Sequence, residues 1–451
     1  MKKLTLDGHR RRIDNINSAE LGNRKYLRRT RVRDYLPGQA IYHLGDYPKK
    51  FTITPTEYDY ERLKSLADNG IGLVQLHADW NDPIHYLGAD KYNSHDPEGL
   101  NKFLDLCHYF GLKVIGYVSS GFFQETDPDF REEFTHTTVR CLDGMHFKYR
   151  RCSAGSAEWR DYVLPRTVAV LDNYGFDGIY NDAGMESTYK RDGRLTREGI
   201  GEYDPEYEDM LATIYYEVKR RGGIYKLHCD YNNPAPCLDK VYDYLWIGEG
   251  ITEEAIGAGK TYPDFVVPCP DKVRMKVDSE YFYSTVIPFM QFPLLTTVGR
   301  PLMGGAIEPD VPRYSKPGVE HGVQYFHHQK IAEYMKDHPN GPYVYSEWSP
   351  IPDDPGDYPM YCRFLSLYRP MVEDNSVAYI ELRDCEDILS PIPERVYASM
   401  FVNDEKYLAV SNLTKEDYTL RVRDMWCDRE SGAVGDSFTI KPGKILFLKK
   451  K

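Results

Sequence analysis

The feature that most constrains this chain is a repeated alternation of short apolar runs with longer amphipathic stretches over residues 40–250. The apolar runs contain Val, Ile and Tyr and have the length of buried strands, while the stretches between them have helical spacing. This alternation is typical of βα units arranged around a parallel sheet. It predicts an α/β fold, and more specifically a (β/α)₈ TIM barrel.

The pattern places the barrel strands and the helices between them. Strands are predicted at residues 40–44, 72–78, 112–118, 176–180, 224–229, 241–247, 294–298 and 343–346. Helices are predicted at residues 57–69, 97–110, 157–174, 205–221, 322–336 and 360–369. The clearer strands finish in polar or acidic residues. Because the carboxyl ends of barrel strands meet at one mouth, these side chains are expected to line a common site.

The chain, at 451 residues, is long enough for one large domain and one small one. Residues 1–38 are rich in Arg and lack periodicity, which predicts an irregular N-terminal arm packed on the barrel of residues 39–370. Residues 371–451 change to short alternating strands, at 396–402, 406–411, 418–423 and 445–448, separated by turn signals. They predict a C-terminal antiparallel β-sandwich with a structural role.

The amino-acid composition limits which kinds of partner this chain is expected to bind. A net charge of -12 disfavours a nucleic acid, and no apolar run approaches the roughly 18 residues that a membrane span needs. The 38 Tyr, 18 Phe and 5 Trp favour an oligosaccharide or glycoside, because aromatic faces pack on the apolar faces of sugars. Nine Cys without a CxxC pair, and a basic start without an apolar leader, predict a cytoplasmic protein. The oligomeric state stays open, a homo-oligomer included.

The strongest local motif is YGFDGIYND at residues 174–182, where a helix ends and the next strand delivers Asp182 to the barrel mouth. A retaining glycosidase needs a rigidly held carboxylate there to attack or stabilise an oxocarbenium-like carbon. Asp182 is therefore the predicted nucleophile, the alternative being that it caps the following loop. Asp177 lies near the start of the same strand, which predicts a structural role.

A second carboxyl group must protonate the leaving oxygen and later deprotonate water. Glu249 is the predicted acid/base, because residues 246–250 (WIGEG) end a strand two units after Asp182. The neighbouring Trp246 would make the surroundings of Glu249 less polar. Three downstream carboxyl groups are alternatives for this role: Glu253, Glu254 and Asp278.

Other side chains near the strand ends are predicted to bind the substrate: Asp79, Trp80, Tyr117, Asn181, His228, Asp230 and Trp246. Trp80 is the expected stacking platform for a sugar ring, and the imidazole and carboxylate groups suit paired hydrogen bonds to vicinal hydroxyls. A packing role is the alternative for each of them.

Two His-x-Asp pairs, His77 with Asp79 and His228 with Asp230, carry residue types that also build metal sites. A metal-dependent barrel hydrolase is therefore a second hypothesis, and a non-catalytic carbohydrate-binding barrel is a third. The first strand has no His-x-His, and the other strand ends offer carboxyl groups rather than further His. The leading hypothesis therefore includes no metal and no cofactor.

Three stretches resemble the melibiase-type α-galactosidases and their clan. They are Asp79-Trp80 after a strand, residues 96–100 (DPEGL) opening a helix, and residues 108–117 (HYFGLKVIGY) leading into a strand. The resemblance extends over residues 40–300. It implies a barrel fold and a retaining mechanism on α-glycosides such as α-galactosides.

The same resemblance assigns roles to particular positions. In that clan the fourth strand carries the nucleophile in a Gly-x-Asp-x-x-x-x-Asp pattern, which here falls on Gly175, Asp177 and Asp182. The sixth strand supplies an acid/base residue, and Glu249 stands at the matching position. The Lys that precedes the nucleophile in the clan is replaced here by Tyr180-Asn181.

Overall fold

The computed structural model describes residues 5–22, 26–32, 35–44, 52–82, 86–135, 140–144, 147–183, 205–228, 239–247, 266–268, 279–300, 357–372, 377–382 and 385–451. The chain forms two compact units. The first comprises Met1–Gly38, Ile251–Pro293 and Pro359–Lys451, and the second comprises Gln39–Gly250 and Leu294–Tyr358. The domain boundaries predicted at residues 38 and 370 stay predictions.

The described helices are α1 (Leu6–Gly22), α2 (Glu57–Asp68), α3 (Pro97–Tyr109), α4 (Ala157–Asn173), α5 (Pro205–Arg220), α6 (Ser279–Val286) and α7 (Asp357–Val372). The described strands are β1 (Tyr26–Val32), β2 (Gln39–His43), β3 (Leu73–Leu76), β4 (Lys113–Ser119), β5 (Phe122–Gln124), β6 (Arg140–Gly144), β7 (Phe147–Arg151), β8 (Gly178–Asp182), β9 (Ile224–His228), β10 (Tyr244–Ile247), β11 (Val266–Pro268), β12 (Leu295–Gly299), β13 (Val377–Leu382), β14 (Val396–Val402), β15 (Lys406–Asn412), β16 (Tyr418–Asp428), β17 (Val434–Ile440) and β18 (Lys444–Lys450).

The second unit is built on seven parallel strands within its described residues, in the order β10-β9-β8-β4-β3-β2-β12. Helices α2 and α3 connect β2 to β3 and β3 to β4, as the alternating pattern predicts. These repeated βα connections define a (β/α)₈ barrel, and the C-terminal strands form an antiparallel β-sandwich. The predicted fold class is confirmed.

One strand assignment is wrong. The strand predicted as the seventh is β12, and it pairs in parallel with the first barrel strand β2. Strand β3 pairs with the other edge of β2. Both edges of β2 are therefore occupied, and no additional strand can lie between β12 and β2. Strand β12 therefore holds the eighth position. The strand predicted at residues 343–346 and the helix at residues 322–336 lie outside the described residues.

Local sequence explains why these elements begin where they do. Asp96 caps α3, since its carboxylate accepts the backbone N–H of Gly99 at 3.0 Å, and Pro97 occupies the first turn. The same carboxylate accepts the N–H of Ile53 at 2.7 Å. In β8, a Cβ on Gly178 would overlap the backbone carbonyl of Ile224, so only glycine allows the close approach of β9.

Asp177 has the structural role predicted for it. Its carboxylate accepts the backbone N–H of Val114 at 2.9 Å and the imidazole Nε2–H of His108 at 2.9 Å, and it pairs with the ammonium of Lys113 at 2.5 Å. These three contacts join the residue just before β8 to the start of β4 and to the last turn of α3. They lie at the opposite end of the strands from Asp182.

A small three-stranded sheet, β5-β7-β6, is inserted between β4 and α4. Glu125 holds it together: its carboxylate accepts from Arg140 at 2.8 and 2.9 Å and from Arg150 at 3.3 Å. The hydrogen bond from Arg140 is the main reason that the pKa of Glu125 falls to about 2. The insertion follows the carboxyl end of β4, which places it on the mouth side of the barrel.

The first unit contains a seven-stranded antiparallel sheet among its described residues, in the order β1-β13-β14-β15-β18-β16-β17. The prediction that residues 1–38 are irregular is wrong, because this segment contains the helix α1 and the strand β1. Strand β1 pairs with β13, and Ile16 and Ala19 of α1 belong to the same buried core as Met400, Leu408 and Trp426. Burial of this apolar face stabilises the unit.

Candidate active site

Asp182 is the last residue of β8, at the carboxyl end of the parallel sheet. Its side chain is 23% exposed. Tyr117 on β4 donates its hydroxyl to Oδ2 at 2.9 Å, and Nδ1 of His228 on β9 lies 3.3 Å from Oδ1. Both carboxylate oxygens are thus held by side chains from the two neighbouring strands.

The strand register produces this arrangement. Tyr117 pairs with Tyr180, two residues before Asp182 on β8, and Asp182 pairs directly with His228. Residues two apart on a strand point to the same side of the sheet. Tyr117, Asp182 and His228 therefore point to the same side and meet near the barrel mouth.

The environment of Asp182 favours the carboxylate over the carboxylic acid. Burial raises its pKa, but the hydrogen bond and positive charge of His228, the hydroxyl of Tyr117 and the charge of His77 together lower it below its ordinary value. Asp182 is therefore ionised at neutral pH. An ionised, partly exposed carboxylate held from both sides meets the requirement for a nucleophile.

Aromatic rings and imidazoles surround this carboxylate. The ring of His77 stacks on that of Tyr117 with centroids 5.6 Å apart, and Tyr180 stacks on His228 at 6.2 Å. Trp246 meets His228 edge to face at 4.0 Å. These contacts restrict the rotamers of Tyr117 and His228, so that the two donors to Asp182 are fixed before any ligand arrives.

Asn181 does not have the predicted substrate-binding role. It is fully buried, its Oδ1 accepts the N–H of Ser120 at 3.2 Å, and its Nδ2 donates to the hydroxyl of Tyr225 at 2.8 Å. The same Ser120 N–H also lies 3.1 Å from the carbonyl of Asp182. The Asn181 amide therefore holds the end of β8 against its neighbours.

Trp80 is not the predicted stacking platform. Its ring is fully buried, packed edge to face on Phe176 at 4.9 Å, and its indole N–H donates to the carbonyl of Tyr117 at 3.0 Å. Asn81 donates to the same carbonyl at 3.3 Å. A ring in this position has no free face for a sugar, and it instead fixes the backbone that carries the Tyr117 hydroxyl.

Trp246 is also buried, with 1% of its surface exposed, so the prediction that it binds substrate directly is wrong. Its ring supports His228 instead. Asp79 is nearly buried, and its Oδ2 accepts the N–H of Leu44 at 2.6 Å, which fixes the loop after β2. Its predicted contact with a sugar hydroxyl stays a prediction, as do such contacts for Tyr117 and His228.

The predicted acid/base Glu249 and the predicted substrate-binding residue Asp230 lie outside the described residues, as do the alternatives Glu253, Glu254 and Asp278. Within the described part of the chain, no group of three or more His, Cys, Asp or Glu is arranged to hold a metal ion. In the described helices, no apolar stretch is long enough to cross a membrane.

Sequence reasoning missed two residues of this mouth, Tyr180 and His43. Tyr180 lies two positions before Asp182 on the same strand, and this alternation is a signal that could have placed it beside the site. His43 ends β2, stacks on His77 with centroids 6.4 Å apart and donates Nε2–H to the carbonyl of Thr296 at 3.1 Å. Burial and the nearby His77 lower the pKa of His43 well below its ordinary value.

No protein-family model matches the chain, and no curated protein sequence matches it. Solved structures do share its fold. An α-amylase from Geobacillus thermoleovorans, complexed with acarbose, superposes with a TM-score of 0.53 at 10% identity, over 92% of this chain and 99% of the other. The trehalose-6-phosphate hydrolase of Bacillus licheniformis gives 0.52 at 13% identity, over 92% and 99%.

A third similar structure is a GH36 α-galactosidase from Geobacillus stearothermophilus in complex with raffinose. It gives a TM-score of 0.51 at 13% identity, and the match covers 92% of this chain but 55% of that one. These likenesses establish the class of fold. It is a (β/α)₈ barrel with a C-terminal antiparallel β domain, as in these enzymes.

Proposed function

We propose that this protein is a glycoside hydrolase that cleaves O-glycosidic bonds with two carboxyl groups. The observation that carries the proposal is Asp182: an ionised carboxylate at the end of a central barrel strand, partly exposed and held on both oxygens by Tyr117 and His228. Carboxyl ends of barrel strands are where enzymes with this fold carry their catalytic groups.

We further propose that the substrates are α-glycosides. The three similar structures are those of an α-amylase, a trehalose-6-phosphate hydrolase and an α-galactosidase. The motifs shared with the melibiase-type clan favour the same class of linkage and include α-galactosides among the candidates. The aromatic surroundings of Asp182 also suit a neutral sugar ring.

In the proposed reaction Asp182 is the nucleophile and Glu249 is the acid/base. The Asp182 carboxylate attacks the anomeric carbon while the protonated carboxyl of Glu249 gives its proton to the leaving oxygen. The glycosidic C–O bond breaks as the bond to Asp182 forms. Water then releases the sugar, giving its proton to the Glu249 carboxylate, so that both groups return to their starting states and the configuration is retained.

The test compares the wild type with Asp182→Asn and Glu249→Gln on a panel of aryl α- and β-glycosides. We expect Asp182→Asn to lower kcat/KM at least about 1,000-fold while the variant keeps the circular dichroism spectrum of the folded wild type. Glu249→Gln should lose more activity on substrates with poor leaving groups than on activated ones. Retention of most activity by a folded Asp182→Asn variant overturns the assignment.

The panel also separates the proposal from its alternatives. Sugar binding by calorimetry without any product would indicate a carbohydrate-binding barrel. Hydrolysis that stops on chelation and returns with a divalent metal would indicate a metal-dependent hydrolase.

A further inference from the structure

Lys91 is a buried cation for which the proposed reaction has no use. It lies in the turn of residues 89–92 that follows β3, and 1% of its surface is exposed. Its ammonium donates to the backbone carbonyl of Phe122, and within the described residues no carboxylate forms an ion pair with it. An isolated ammonium is costly to bury, so its position requires an explanation.

Three aromatic rings form a box around this ammonium. The centroids of Tyr92 and Phe123 are both 5.3 Å from Nζ, and that of Trp159 is 5.4 Å away. Ring faces attract a cation, which offsets part of the cost of burial. Because the rings carry no net charge, they leave the field of the ammonium free to act on carboxylates farther away.

The aromatic box is attached to the segment beside Asp182. Tyr92 donates its hydroxyl to the carbonyl of Ser119 at 2.9 Å, and Trp159 donates its indole N–H to the carbonyl of Ser120 at 3.0 Å. Ser119 pairs with Asp182 across the two strands. Lys91, which holds the Phe122 carbonyl in the same segment, is therefore fixed in position relative to the proposed nucleophile.

The ionisable groups that interact electrostatically with Lys91 come from four parts of the chain. They are Asp82 after β3, Asp127 after β5, Cys152 after β7 and Asp182 on β8. Burial lowers the pKa of Lys91 to about 8, and the interactions with these four groups oppose that fall. Backbone N–H groups already bind both oxygens of Asp82, from Tyr86 at 2.8 Å and Leu87 at 2.6 Å.

We propose that Lys91 is a positioning residue for Asp182, whose buried ammonium, fixed by the aromatic box beside the segment after β4, favours the ionised form of the Asp182 carboxylate. The activity consequence rests on the proposed function, whereas the electrostatic coupling does not. Electrostatic coupling is reciprocal, so it can be observed from either group.

The direct test follows the titration of Lys91 by NMR in protein labelled with ¹³C at lysine Cε, its signal being the one absent from Lys91→Met. In Asp182→Asn we expect the pKa of Lys91 to fall by at least about half a unit, since a neighbouring negative charge has been removed. Asp105→Asn, which neutralises an exposed carboxylate on α3, should leave it unchanged. Equal values in the two variants overturn the proposal.

An activity measurement tests the consequence. In Lys91→Met the acid limb of the pH profile of kcat/KM should move to higher pH, and Lys91→Arg should restore it. Lys102→Met, at a lysine whose side chain is 53% exposed, should leave the limb in place. An unmoved limb in folded Lys91→Met overturns the proposal. If Lys91→Met does not fold, Lys91→Arg supplies the NMR assignment and the lysine titration decides alone.

The two arms separate this inference from the proposed function. Coupling between Lys91 and Asp182 in a protein that hydrolyses no glycoside would leave the inference standing and the proposed function refuted. Hydrolysis that requires Asp182, without coupling to Lys91, would refute the inference alone.

Discussion

At the scale of single residues, the proposed reaction depends on the negative charge of Asp182. A carboxylate whose pKa is lowered by folding stabilises the native state above its unfolded pKa, and this contribution is lost as the pH falls through the lower, folded value. The carboxylate that a nucleophile needs is therefore present throughout the neutral range. His228, Tyr117 and His77 lower the pKa of Asp182, whereas burial raises it.

Tyr117→Phe isolates one of these contributions. The variant keeps the ring that stacks on His77 but removes the hydroxyl that donates to Asp182 at 2.9 Å. A hydrogen bond to a charged group contributes about 1.5–3 kcal/mol, so we expect kcat/KM to fall roughly 10- to 100-fold and the acid limb of the pH profile to move upward. Initial rates across a pH series measure both effects.

The control is Tyr109→Phe, at a ring that is 74% exposed at the end of α3. It should behave as the wild type does. A Tyr117→Phe variant with the kinetics of this control would mean that the hydroxyl neither orients Asp182 nor sets its charge.

Strand periodicity determined which site residues could be predicted from the sequence. It predicted Asp182 at a strand end, and the structure places the side chains of Tyr117 and His228 against it. It did not predict that Trp80 and Asn181 are buried. Both residues lie at or just after strand ends. The direction of such a side chain, into the mouth or between elements, depends on neighbours from distant parts of the chain.

At the scale of elements, two strands are each preceded by an aspartate whose carboxylate binds the backbone of the adjacent strand. Asp177 accepts the N–H of Val114 at 2.9 Å, and Asp243, just before β10, accepts the N–H of Tyr225 at 2.9 Å. A lysine accompanies each carboxylate, and Lys219 lies 2.8 Å from Asp243. This repetition explains why acidic residues occur at both ends of these strands with different roles.

Asp59 and Arg300 join the first barrel strand, the helix after it and the last strand. Asp59 is fully buried in α2 and accepts the hydroxyl of Tyr42 at 2.7 Å and the Arg300 guanidinium at 3.0 Å. Arg300, which follows β12, also donates to the carbonyls of Thr52 at 2.6 Å and Ile53 at 2.9 Å. These contacts hold residues 52–53, just before α2, against the end of β12.

We expect Asp59→Asn to lower the free energy of unfolding by about 3–5 kcal/mol, because it leaves the nearly buried guanidinium of Arg300 without its counter-charge. Urea unfolding followed by circular dichroism measures the change. Asp68→Asn, in the exposed pair with Lys64 on the same helix, should cost about 1 kcal/mol or less. Equal losses in the two variants would contradict the role given to Asp59.

Sequence patterns predicted an element well where its own residues showed a clear apolar alternation. The predicted strand at residues 396–402 coincides with β14, while β13 and β17 were missed. Most residues of β17 are not buried, so its apolar alternation is weak. Strand β1 was missed because its Arg-rich sequence lacks that alternation, and its partner β13 is about 350 residues away in sequence.

At the scale of the whole molecule, the order of elements along the chain does not match their grouping in space. Residues 251–293 and 359–451 belong with the N-terminal arm in one unit, although barrel strands both precede and follow the first of these segments. Local periodicity indicates which elements exist but not which distant segments pack together. This explains why the barrel class was predicted from the sequence while the order of its last strands was not.

The fold supports many chemistries, so the function depends on the site rather than on the architecture. Similar structures at 10–13% identity establish the barrel, and the contacts of Asp182 supply the chemical argument. The central claim is therefore that this one carboxylate becomes covalently attached to the sugar during turnover.

Trapping that covalent species tests the claim most directly. The wild-type protein is incubated with a mechanism-based fluorosugar matched to its preferred aryl glycoside, digested and analysed by mass spectrometry. We expect one added glycosyl group, attached to Asp182 within the peptide that contains it. A label on another carboxylate, or full activity with no label at any residue, would contradict it.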